Sequence, residues 1–185
     1  MAHQAIRSFL AIELSEAIKG EVQRFIKKIE HQLPGFRFGN PETWHLTLHF
    51  LGPVEPEKLE SLSLRIPKAL EGTKPFQLFL EGVGVFPSTK QPRILWLGVG
   101  GETEPLFDLK KRLDEVLRKM HFELEKRAYH PHITIGRLKG NGGAGFSNEL
   151  QFKSEARDQI DRITLFRSVL SLQGACHTPL QKFPF

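Results

Sequence analysis

The chain contains a single cysteine and no long apolar run, and each shortage excludes a class of protein. One cysteine, Cys176, cannot form an internal disulfide or a multi-cysteine zinc site. No stretch approaches the roughly 20 apolar residues of a membrane-spanning helix, and the first residues lack the basic and apolar layout of a signal peptide. We therefore expect a soluble, cytoplasmic protein with no membrane partner. No feature of the sequence demands more than a monomer.

The composition is that of an ordinary globular protein with a basic balance. The 185 residues are 39% hydrophobic and 25% charged, so the chain can bury a core of its own. Its formal net charge of +5 suits a polyanionic partner such as RNA. Many basic proteins bind no nucleic acid, so the charge favours this partner only modestly.

Two short stretches share the pattern His-x-Thr-x, with branched or long apolar residues at the x positions. The first begins at His45 and contains Thr47, and the second begins at His132 and contains Thr134. In a β-strand, successive side chains point to opposite faces, so each histidine shares a face with its threonine while the apolar residues enter a core. Each strand therefore presents an imidazole and a hydroxyl together.

Hydrophobic periodicity and turn signals predict alternating strands and helices. Ser15 opens an amphipathic helix that ends at Pro34-Gly35, and further helices are predicted over residues 56–70 and about 104–120. Strands are predicted over 7–14, 36–38, 75–85, 93–99 and 159–170, with a last strand near 175–185 and with Gly52-Pro53 closing the first motif strand. Residues 86–92 and 140–143 are predicted to be turns or loops, and residues 148–156 a short helix or irregular.

The second half of the chain repeats the plan of the first. Arg7 precedes His45 by 38 residues and Arg93 precedes His132 by 39, and the two motif histidines lie 87 residues apart. This internal duplication predicts a bilobal α+β fold with pseudo-twofold strand-helix-strand units, antiparallel sheets facing a central cleft, and helices on the outside. No linker or change of composition separates the halves, so we expect residues 1–185 to form one two-lobed domain.

A pseudo-twofold axis can bring both motifs to one cleft, and this has a chemical consequence. Opposed imidazoles near neutral pH can serve as general base and general acid in one turnover. The threonine hydroxyls can donate to phosphate oxygens, and Arg137, five residues after His132, adds a bidentate cation. These groups suit the cleavage of a phosphodiester without a metal. Three aromatic residues near the cleft either stack a base or belong to the core: Phe9, Phe86 and Trp96.

Other polar residues near the motifs allow two interpretations each. By strand parity, His49 and His130 continue the faces of the two motif histidines, as orienting groups or as rim residues. Arg93 begins a strand after Pro92, so it either reaches the substrate or covers the sheet edge. The remaining basic residues of these elements are most simply solvated: Arg7, Lys27, Lys28, Lys110, Lys111 and Arg112.

Two other functional classes compete with a phosphodiesterase. A metal site could pair His45 with His49 or His130 with His132, but the first spacing needs a helix where a strand is predicted, and no carboxylate sits nearby to complete a shell. An RNA-binding module of the same fold would use the basic cleft without chemistry, yet a binder needs cationic and aromatic groups rather than two matched imidazoles. We expect no metal and no cofactor, and we keep the binding module as the alternative function.

Four segments carry a resemblance to a known family: Arg7-x-Phe9-x-Ala11-Ile12, Trp44-His45-Leu46-Thr47-Leu48-x-Phe50-Leu51-Gly52, Arg93-x-x-Trp96-Leu97-Gly98, and His130-Pro131-His132-Ile133-Thr134-Ile135-Gly136-Arg137. In these segments the sequence resembles the two-histidine phosphoesterases, and among them the bacterial and archaeal RNA 2',3'-cyclic phosphodiesterases, also called 2'-5' RNA ligases. The resemblance spans nearly the whole chain. Two flanked motifs at this spacing are far more specific than a lone His-x-Thr.

The resemblance implies a bilobal fold with a central cleft, and the opening of a 2',3'-cyclic phosphate, at an RNA end or on a nucleotide, to a 2'-phosphate. It implies His45 and His132 as the catalytic pair, with Thr47, Thr134 and Arg137 on the phosphate. By the same resemblance, His132 is expected to be the base that activates water and His45 the acid that protonates the leaving O3', and the reverse assignment stays open. Family members are also linked to a reversible, ATP-independent 2'-5' ligation.

Overall fold

In the part of the chain that the structure describes, one antiparallel sheet of nine strands carries three helices. The structure is a computed structural model that describes residues 4–139, 146, 149–171 and 174–185. The strands are β1 (Ile6–Glu13), β2 (Phe36–Phe38), β3 (His45–Val54), β4 (Phe76–Ser88), β5 (Gln91–Gly101), β6 (His132–Leu138), β7 (Asp158–Ile160), β8 (Arg162–Ser171) and β9 (Gly174–Pro184). The helices are α1 (Glu16–Ile29), α2 (Pro56–Leu70) and α3 (Thr103–Lys119), with short 3-10 turns at Glu30–Gln32 and Pro41–Thr43. None of the helices in these described ranges is long and apolar enough to cross a membrane.

Each helix forms where an apolar stripe meets a capping signal. The Ser15 hydroxyl accepts a hydrogen bond from the backbone N–H of Ile18 and so caps α1. Pro56 is the first residue of α2, where its missing N–H costs nothing because that position has no intrahelical partner. The stripes of all three helices are buried, as expected from their periodicity, and include Ile18, Val22, Leu62, Ile66, Leu109 and Leu113.

The order of the strands shows the predicted duplication. The sheet runs β7-β4-β5-β6-β3-β1-β8-β9, with β2 added beside β6. The two motif strands β3 and β6 are therefore neighbours at the centre, and β1 and β8 flank β3 as β5 and β4 flank β6. The predicted α+β class is confirmed, and the two antiparallel sheets expected from the sequence are the halves of one continuous sheet.

The two faces of this sheet have different roles. One face packs against the helices in a large apolar cluster that includes Leu46, Ile133 and Leu113. The other face carries a small separate cluster of Phe9, Ala11 and Phe166, beside an open cleft. The helices therefore cover one side and leave the other side of the motif strands free for a ligand.

A β-bulge follows the threonine of the first motif and changes which face the next residues occupy. The register of β3 against β1 shifts at Leu48, immediately after Thr47. Beyond the shift, His49 is buried on the helix side and Phe50 returns to the cleft, where 69% of its surface is exposed. The parity expectation that His49 shares the face of the motif histidine is therefore wrong, because a bulge adds one residue to the strand.

The second motif has a bulge at the equivalent place. The register of β6 against β5 shifts at Ile135, immediately after Thr134. Gly136 then faces the ring of Phe38 on the core side. Arg137 follows on the cleft side, close enough to His132 for its charge to affect that imidazole. Strict alternation would have placed this arginine on the opposite face, five residues from the histidine, so the bulge is what gives it access to the cleft.

Several predicted boundaries differ from the structure. Strand β3 continues through Gly52-Pro53 to Val54, and residues 86–92 form a hairpin in which β4 extends to Ser88 and β5 begins at Gln91. Pro87 pairs with Pro92 at the end of this hairpin, where the ladder tolerates a residue without an N–H. The predicted strand over 159–170 is divided into β7 and β8. The described part of 148–156 is irregular with one bridge from Lys153 to Glu81, and the loop predicted at 140–143 lies outside the described residues.

Candidate active site

A cavity of about 180 Å³ lies on the open face of the sheet, where the two motif strands meet. Both histidines and both threonines of the motifs line it, as the sequence predicted. The other lining residues come from β1, β3, β8, β9 and the turn before β3: Arg7, Ser8, Phe9, Thr43, Phe50, Gly52, Ser168, Leu170, Ala175 and His177.

The pairing of β3 with β6 sets the two motifs head to tail. Leu46 is opposite Ile133 in an antiparallel register. This register puts His45 alongside Thr134, and Thr47 alongside His132, on the cleft face. Each imidazole therefore has a hydroxyl from the other half beside it, which is the arrangement expected of a site built on a pseudo-twofold axis.

The ring of each motif histidine is anchored in the same way. Nδ1 of His45 lies 2.8 Å from the carbonyl oxygen of Thr43, and Nδ1 of His132 lies 2.7 Å from the carbonyl oxygen of His130. A carbonyl oxygen only accepts, so Nδ1 carries the proton in both rings. The neutral tautomer then leaves the Nε2 lone pair for the cleft, which is the state that a general base needs.

The His45 ring packs against aromatic neighbours from the half of the sheet that contains β3. The Phe9 ring stacks on it with a centroid separation of 4.6 Å and an interplanar angle of 27°. The His177 ring lies 5.2 Å away at 86°. Phe9 is only 2% exposed and in turn stacks on Phe166, so it belongs to the core of this wall and cannot offer its face to a base.

The His132 ring has other neighbours, which come from the half of the sheet that contains β6. The Phe86 ring lies 5.0 Å away at 82°, and the exposed His130 ring lies 6.3 Å away at 29°. Trp96 completes this wall, and its indole lies so close over Gly84 that a Cβ there would collide with it. His130 precedes β6 and contacts these aromatic rings, so of its two interpretations the structure supports a residue at the rim.

The surroundings favour the neutral form of both motif histidines. Burial, with the nearby charges of His177 and His132, lowers the pKa of His45 to about 4, although the bond to the Thr43 carbonyl opposes the shift. Burial also lowers the pKa of His132, and the charges of His130 and Arg137 add to the effect. An anion bound in the cleft would raise both pKa values, because it stabilises the imidazolium form.

Arg137 and Arg93 have different relations to the cleft. Arg137 is exposed and does not line the cavity, but its charge acts on His132. Arg93 is exposed on β5 and does not line the cavity. Its role in substrate binding stays a prediction.

Three cleft residues escaped the sequence analysis. The sequence predicts Arg7 to be solvated, and this residue is exposed but also lines the cavity from β1. Phe50 lies at the cleft because of the bulge in β3, and the sequence pattern does not predict this bulge. His177 stands on β9 opposite Ser168, outside any repeated motif. Parity along the predicted last strand was the only signal that could have placed His177 on the cleft face.

A polar cluster lies behind β3, on the side away from the cleft. Buried His49 contacts Asp114 of α3, and Lys110 also bonds to this carboxylate at 2.5 Å. Burial, reinforced by the charge of Lys110, lowers the pKa of His49 to about 4, and Asp114 opposes the shift. Tyr129 donates a hydrogen bond of 3.0 Å to the carbonyl oxygen of Thr47. Lys110, predicted to be solvated, is thus part of this cluster.

The histidine pairs that could have bound a metal do not converge. His45 and His49 occupy opposite faces of β3 because of the bulge. Across residues 4–139, 146, 149–171 and 174–185, no three histidine, cysteine or acidic side chains are arranged to hold a metal ion. The described geometry therefore gives the metal alternative no ligand set.

A sequence profile described as LigT-like phosphoesterase matches this chain twice, over residues 12–96 and 97–176. The chain belongs to the LigT-like phosphoesterase family. Each of the two matches contains one His-x-Thr motif, in agreement with the internal duplication of the sequence. Membership confirms the prediction that this protein is an enzyme of phosphate-ester chemistry.

Two relatives of this phosphoesterase are similar over almost their whole lengths. A Methanothermobacter thermautotrophicus protein named RNA 2',3'-cyclic phosphodiesterase is 34% identical over 182 residues, which cover 96% of this chain and 98% of that protein. A Thermotoga maritima protein of the same name is also 34% identical, covering 97% of this chain and 96% of the relative.

Solved structures confirm the fold. A crystal structure of a Thermus thermophilus protein superposes with a TM-score of 0.83 at 25% identity, over 97% of both chains. A crystal structure of E. coli LigT complexed with 3'-AMP superposes with a TM-score of 0.80 at 25% identity, over 98% of both chains.

Proposed function

We propose that this phosphoesterase hydrolyses RNA 2',3'-cyclic phosphate ends to 2'-phosphomonoesters, without a metal or another cofactor, by acid/base catalysis between His45 and His132. One observation carries the proposal: the antiparallel pairing of β3 and β6 brings both imidazoles, each with Nδ1 bonded to a carbonyl, to one cavity. Two imidazoles whose Nε2 atoms serve one cleft can supply a base and an acid to the same phosphorus atom.

The remaining groups of the cleft suit an anionic phosphate. Among the described residues that line the cavity there is no carboxylate, and the groups able to carry positive charge are Arg7 and three histidines. Thr47 and Thr134 offer neutral donors beside the two imidazoles, and Arg137 adds a cation near His132. We assign these three residues to the phosphate. A cleft of this charge attracts a phosphodiester and repels a cation.

The reaction can be written with every atom and proton assigned. The neutral histidine takes a proton from water as the water oxygen forms a bond to phosphorus. The bond from phosphorus to O3' breaks, and the protonated histidine donates its proton to O3'. The products are a 2'-phosphomonoester and a free 3'-hydroxyl, and the two histidines have exchanged protonation states. Following the family resemblance, we assign His132 as the base and His45 as the acid. Because the free cleft favours the neutral form of His45, this assignment requires that a bound phosphate raise the pKa of His45.

The names of the relatives support this substrate class. The proteins from M. thermautotrophicus and T. maritima carry the name RNA 2',3'-cyclic phosphodiesterase, and E. coli LigT has been crystallised with 3'-AMP. An exposed aromatic ring at the cleft, Phe50, is available to a nucleobase, whereas Phe9 is buried.

Ligation would use the same groups, with an RNA 5'-hydroxyl in place of water. The base would take the proton of the 5'-hydroxyl as its oxygen bonds to phosphorus, the bond from phosphorus to O3' would break, and the acid would protonate O3'. The product would be a 2'-5' linkage, formed with no need for ATP. We include this ATP-independent 2'-5' ligation in the proposal. We further propose that residues 1–185 act as one two-lobed, monomeric, cytoplasmic unit, since both lobes contribute to one sheet and one cavity.

The proposal is tested with a short RNA that bears a 2',3'-cyclic phosphate, incubated with the enzyme in excess EDTA. We expect a 2'-phosphate, identified by its resistance to a 3'-specific phosphatase. A 3'-phosphate product would reverse the leaving group, and loss of activity in EDTA with recovery on adding zinc would support a metal enzyme. Tight RNA binding without any product, from either a cyclic phosphate or a 2'-5' linkage, would favour the RNA-binding module.

A further inference from the structure

His177 is a third histidine of the cleft and belongs to neither motif. It stands on β9 opposite Ser168 of β8, and both side chains line the cavity. The next cross-strand pair on the same face, Leu170 and Ala175, lines it as well. The hairpin of β8 and β9 therefore forms the cleft wall on the His45 side.

The His177 ring packs beside the stacked rings of His45 and Phe9. It lies 5.2 Å from the His45 ring at 86° and 4.9 Å from the Phe9 ring at 79°. Since Phe9 and His45 are nearly parallel, His177 stands across both of them. His45 is thus fixed by the Thr43 carbonyl at Nδ1, by Phe9 on one face and by His177 at the side.

The charges around this pair make a proton on both rings unfavourable. The described groups of the cavity lining that can carry charge are Arg7 on β1, His45 on β3, His132 on β6 and His177 on β9, and all of them are basic. The charge of His177 is, after burial, the main cause of the lowered pKa of His45. Burial also lowers the pKa of His177 itself. Among these lining groups there is no carboxylate to hold a second positive charge.

Among the described residues, no histidine of the other half of the sheet occupies the place that corresponds to His177. The strand equivalent to β9 is β7, which spans three residues and pairs only with Phe76, Gln77 and Leu78 on β4. That pairing lies far along β4 from Phe86, which contacts His132. The accessory imidazole of that half, His130, is exposed at the rim instead. His177 is therefore a feature in which the two halves differ.

We propose that His177 is a positioning residue that acts through His45: it holds the His45 imidazole against Phe9 and opposes a positive charge on it in the empty cleft. A bound phosphate anion cancels this opposition, so His45 gains its proton when substrate arrives. His177 thereby makes the protonation of His45, the proposed acid, depend on the presence of an anion. This consequence for catalysis rests on the proposed function, whereas the effect on the His45 proton equilibrium does not.

The direct test is an NMR titration of the His45 imidazole in the free protein, with its signals assigned by their loss in His45→Gln. His177→Phe keeps an aromatic ring beside the stack and removes the titratable group. We expect the pKa of His45 to rise in this variant by on the order of half a pH unit or more. His177→Gln should give a rise of the same sign, and it carries the test if the phenylalanine variant does not fold. An unchanged His45 pKa in a folded variant overturns the proposal.

Two further variants distinguish the effect of His177 on the His45 pKa from the effect of removing any histidine. His31→Gln removes an exposed imidazole that does not line the cavity, and it should leave the His45 titration unchanged. His130→Phe removes the imidazole next to His132 and should shift the His132 titration more than that of His45. If His130→Phe moves His45 as much as His177→Phe does, the specific link between His177 and His45 is refuted.

Inorganic phosphate is the probe for the anion effect. Adding it should raise the His45 pKa in the wild type and in His177→Phe, because the anion attracts the imidazolium charge in both proteins. The variant should keep the higher His45 pKa at every phosphate concentration, since the repulsion by His177 acts on the same ring separately. A wild-type His45 pKa that phosphate does not raise contradicts the proposed linkage. These titrations need no turnover, so they stand even if cyclic phosphates prove not to be the substrate. With an active enzyme, the low-pH limb of kcat/KM should move to higher pH in His177→Phe.

Discussion

The two halves of the cleft share the His-x-Thr pattern and differ in the side chains around it. Each half supplies a histidine with Nδ1 bonded to a carbonyl, a threonine two residues later, and a bulge after the threonine. The residue that comes after the bulge and returns to the cleft side is Phe50 in the first half and Arg137 in the second. The duplication therefore provides two matched pairs of an imidazole and a hydroxyl, while an apolar side and a cationic side make the cleft asymmetric.

The walls behind the histidines differ in the same manner. His45 is enclosed by Phe9 and by His177 of the β8–β9 hairpin, whereas His132 faces Phe86 and the exposed ring of His130. A histidine that is more enclosed and has another imidazole at its side is harder to protonate. Equal sequence motifs have thus been given unequal proton affinities by their neighbours.

The largest expected effect comes from removing either motif histidine. His45→Ala and His132→Ala should each lower kcat by about 10³-fold, because a positioned acid or base contributes on the order of 10²–10⁴. The measurement is initial-rate kinetics on a 2',3'-cyclic phosphate, with circular dichroism to show that the variants are folded. A variant that is folded and loses less than about tenfold would show that its histidine transfers no proton in the reaction.

The next effect is the dependence of kcat/KM on pH, which compares the two imidazoles directly. The reaction needs one neutral and one protonated ring, so activity is lost below the lower pKa, where both are protonated, and above the higher pKa, where both are neutral. The lower value is that of His45, about 4, and that of His132 lies below the ordinary 6.5. We expect a bell-shaped profile with its maximum between these values, and kcat shifted to higher pH because bound phosphate favours both protonated forms. A profile flat from pH 4 to 8 is incompatible with the pair.

Arg137 tests the cationic side of the comparison. Arg137→Ala should lower kcat/KM by roughly 10- to 100-fold, since a hydrogen bond to a charged group is worth about 1.5–3 kcal/mol. Arg137→Lys should recover part of this loss, because lysine keeps the charge but not the bidentate geometry. Arg65→Ala is the matched control, as it removes one exposed arginine of α2, on the helix side of the sheet, whereas Arg137 follows the second motif and its charge acts on His132. Equal losses in Arg137→Ala and Arg65→Ala would reduce the role of Arg137 to general surface charge.

The smallest effect concerns the link between the halves. The Tyr129 hydroxyl, from the segment before β6, donates to the carbonyl of Thr47 in β3. Tyr129→Phe should lower the free energy of unfolding by about 1 kcal/mol, the usual net value of such a bond. Urea unfolding gives this difference, and Tyr129→Leu should cost more because packing is lost as well. No change in Tyr129→Phe would mean that water replaces the bond without cost.

The sequence predicts most of the helices and strands and part of the residues that line the cavity. Helix α2 was predicted at its observed bounds, and β2 likewise, because caps, prolines and apolar stripes are local signals. The motif histidines and threonines line one cavity as predicted from strand parity and duplication. The boundaries near Pro53 and Pro87 were missed, because proline is tolerated at strand and hairpin ends when no ladder N–H is needed.

The sequence by itself determined the repeated strand-helix-strand plan, the pairing of each imidazole with a hydroxyl, and the side of the strand on which they lie, since all three depend on local periodicity. Only the tertiary structure decided where the residues after each threonine lie. The bulges at Leu48 and Ile135 turn His49 inward and bring Arg137 to the cleft, and they arise from the register with β1 and β5. The packing of β9 against β8 likewise places His177 beside His45. Register and strand order depend on distant residues, which no local pattern contains.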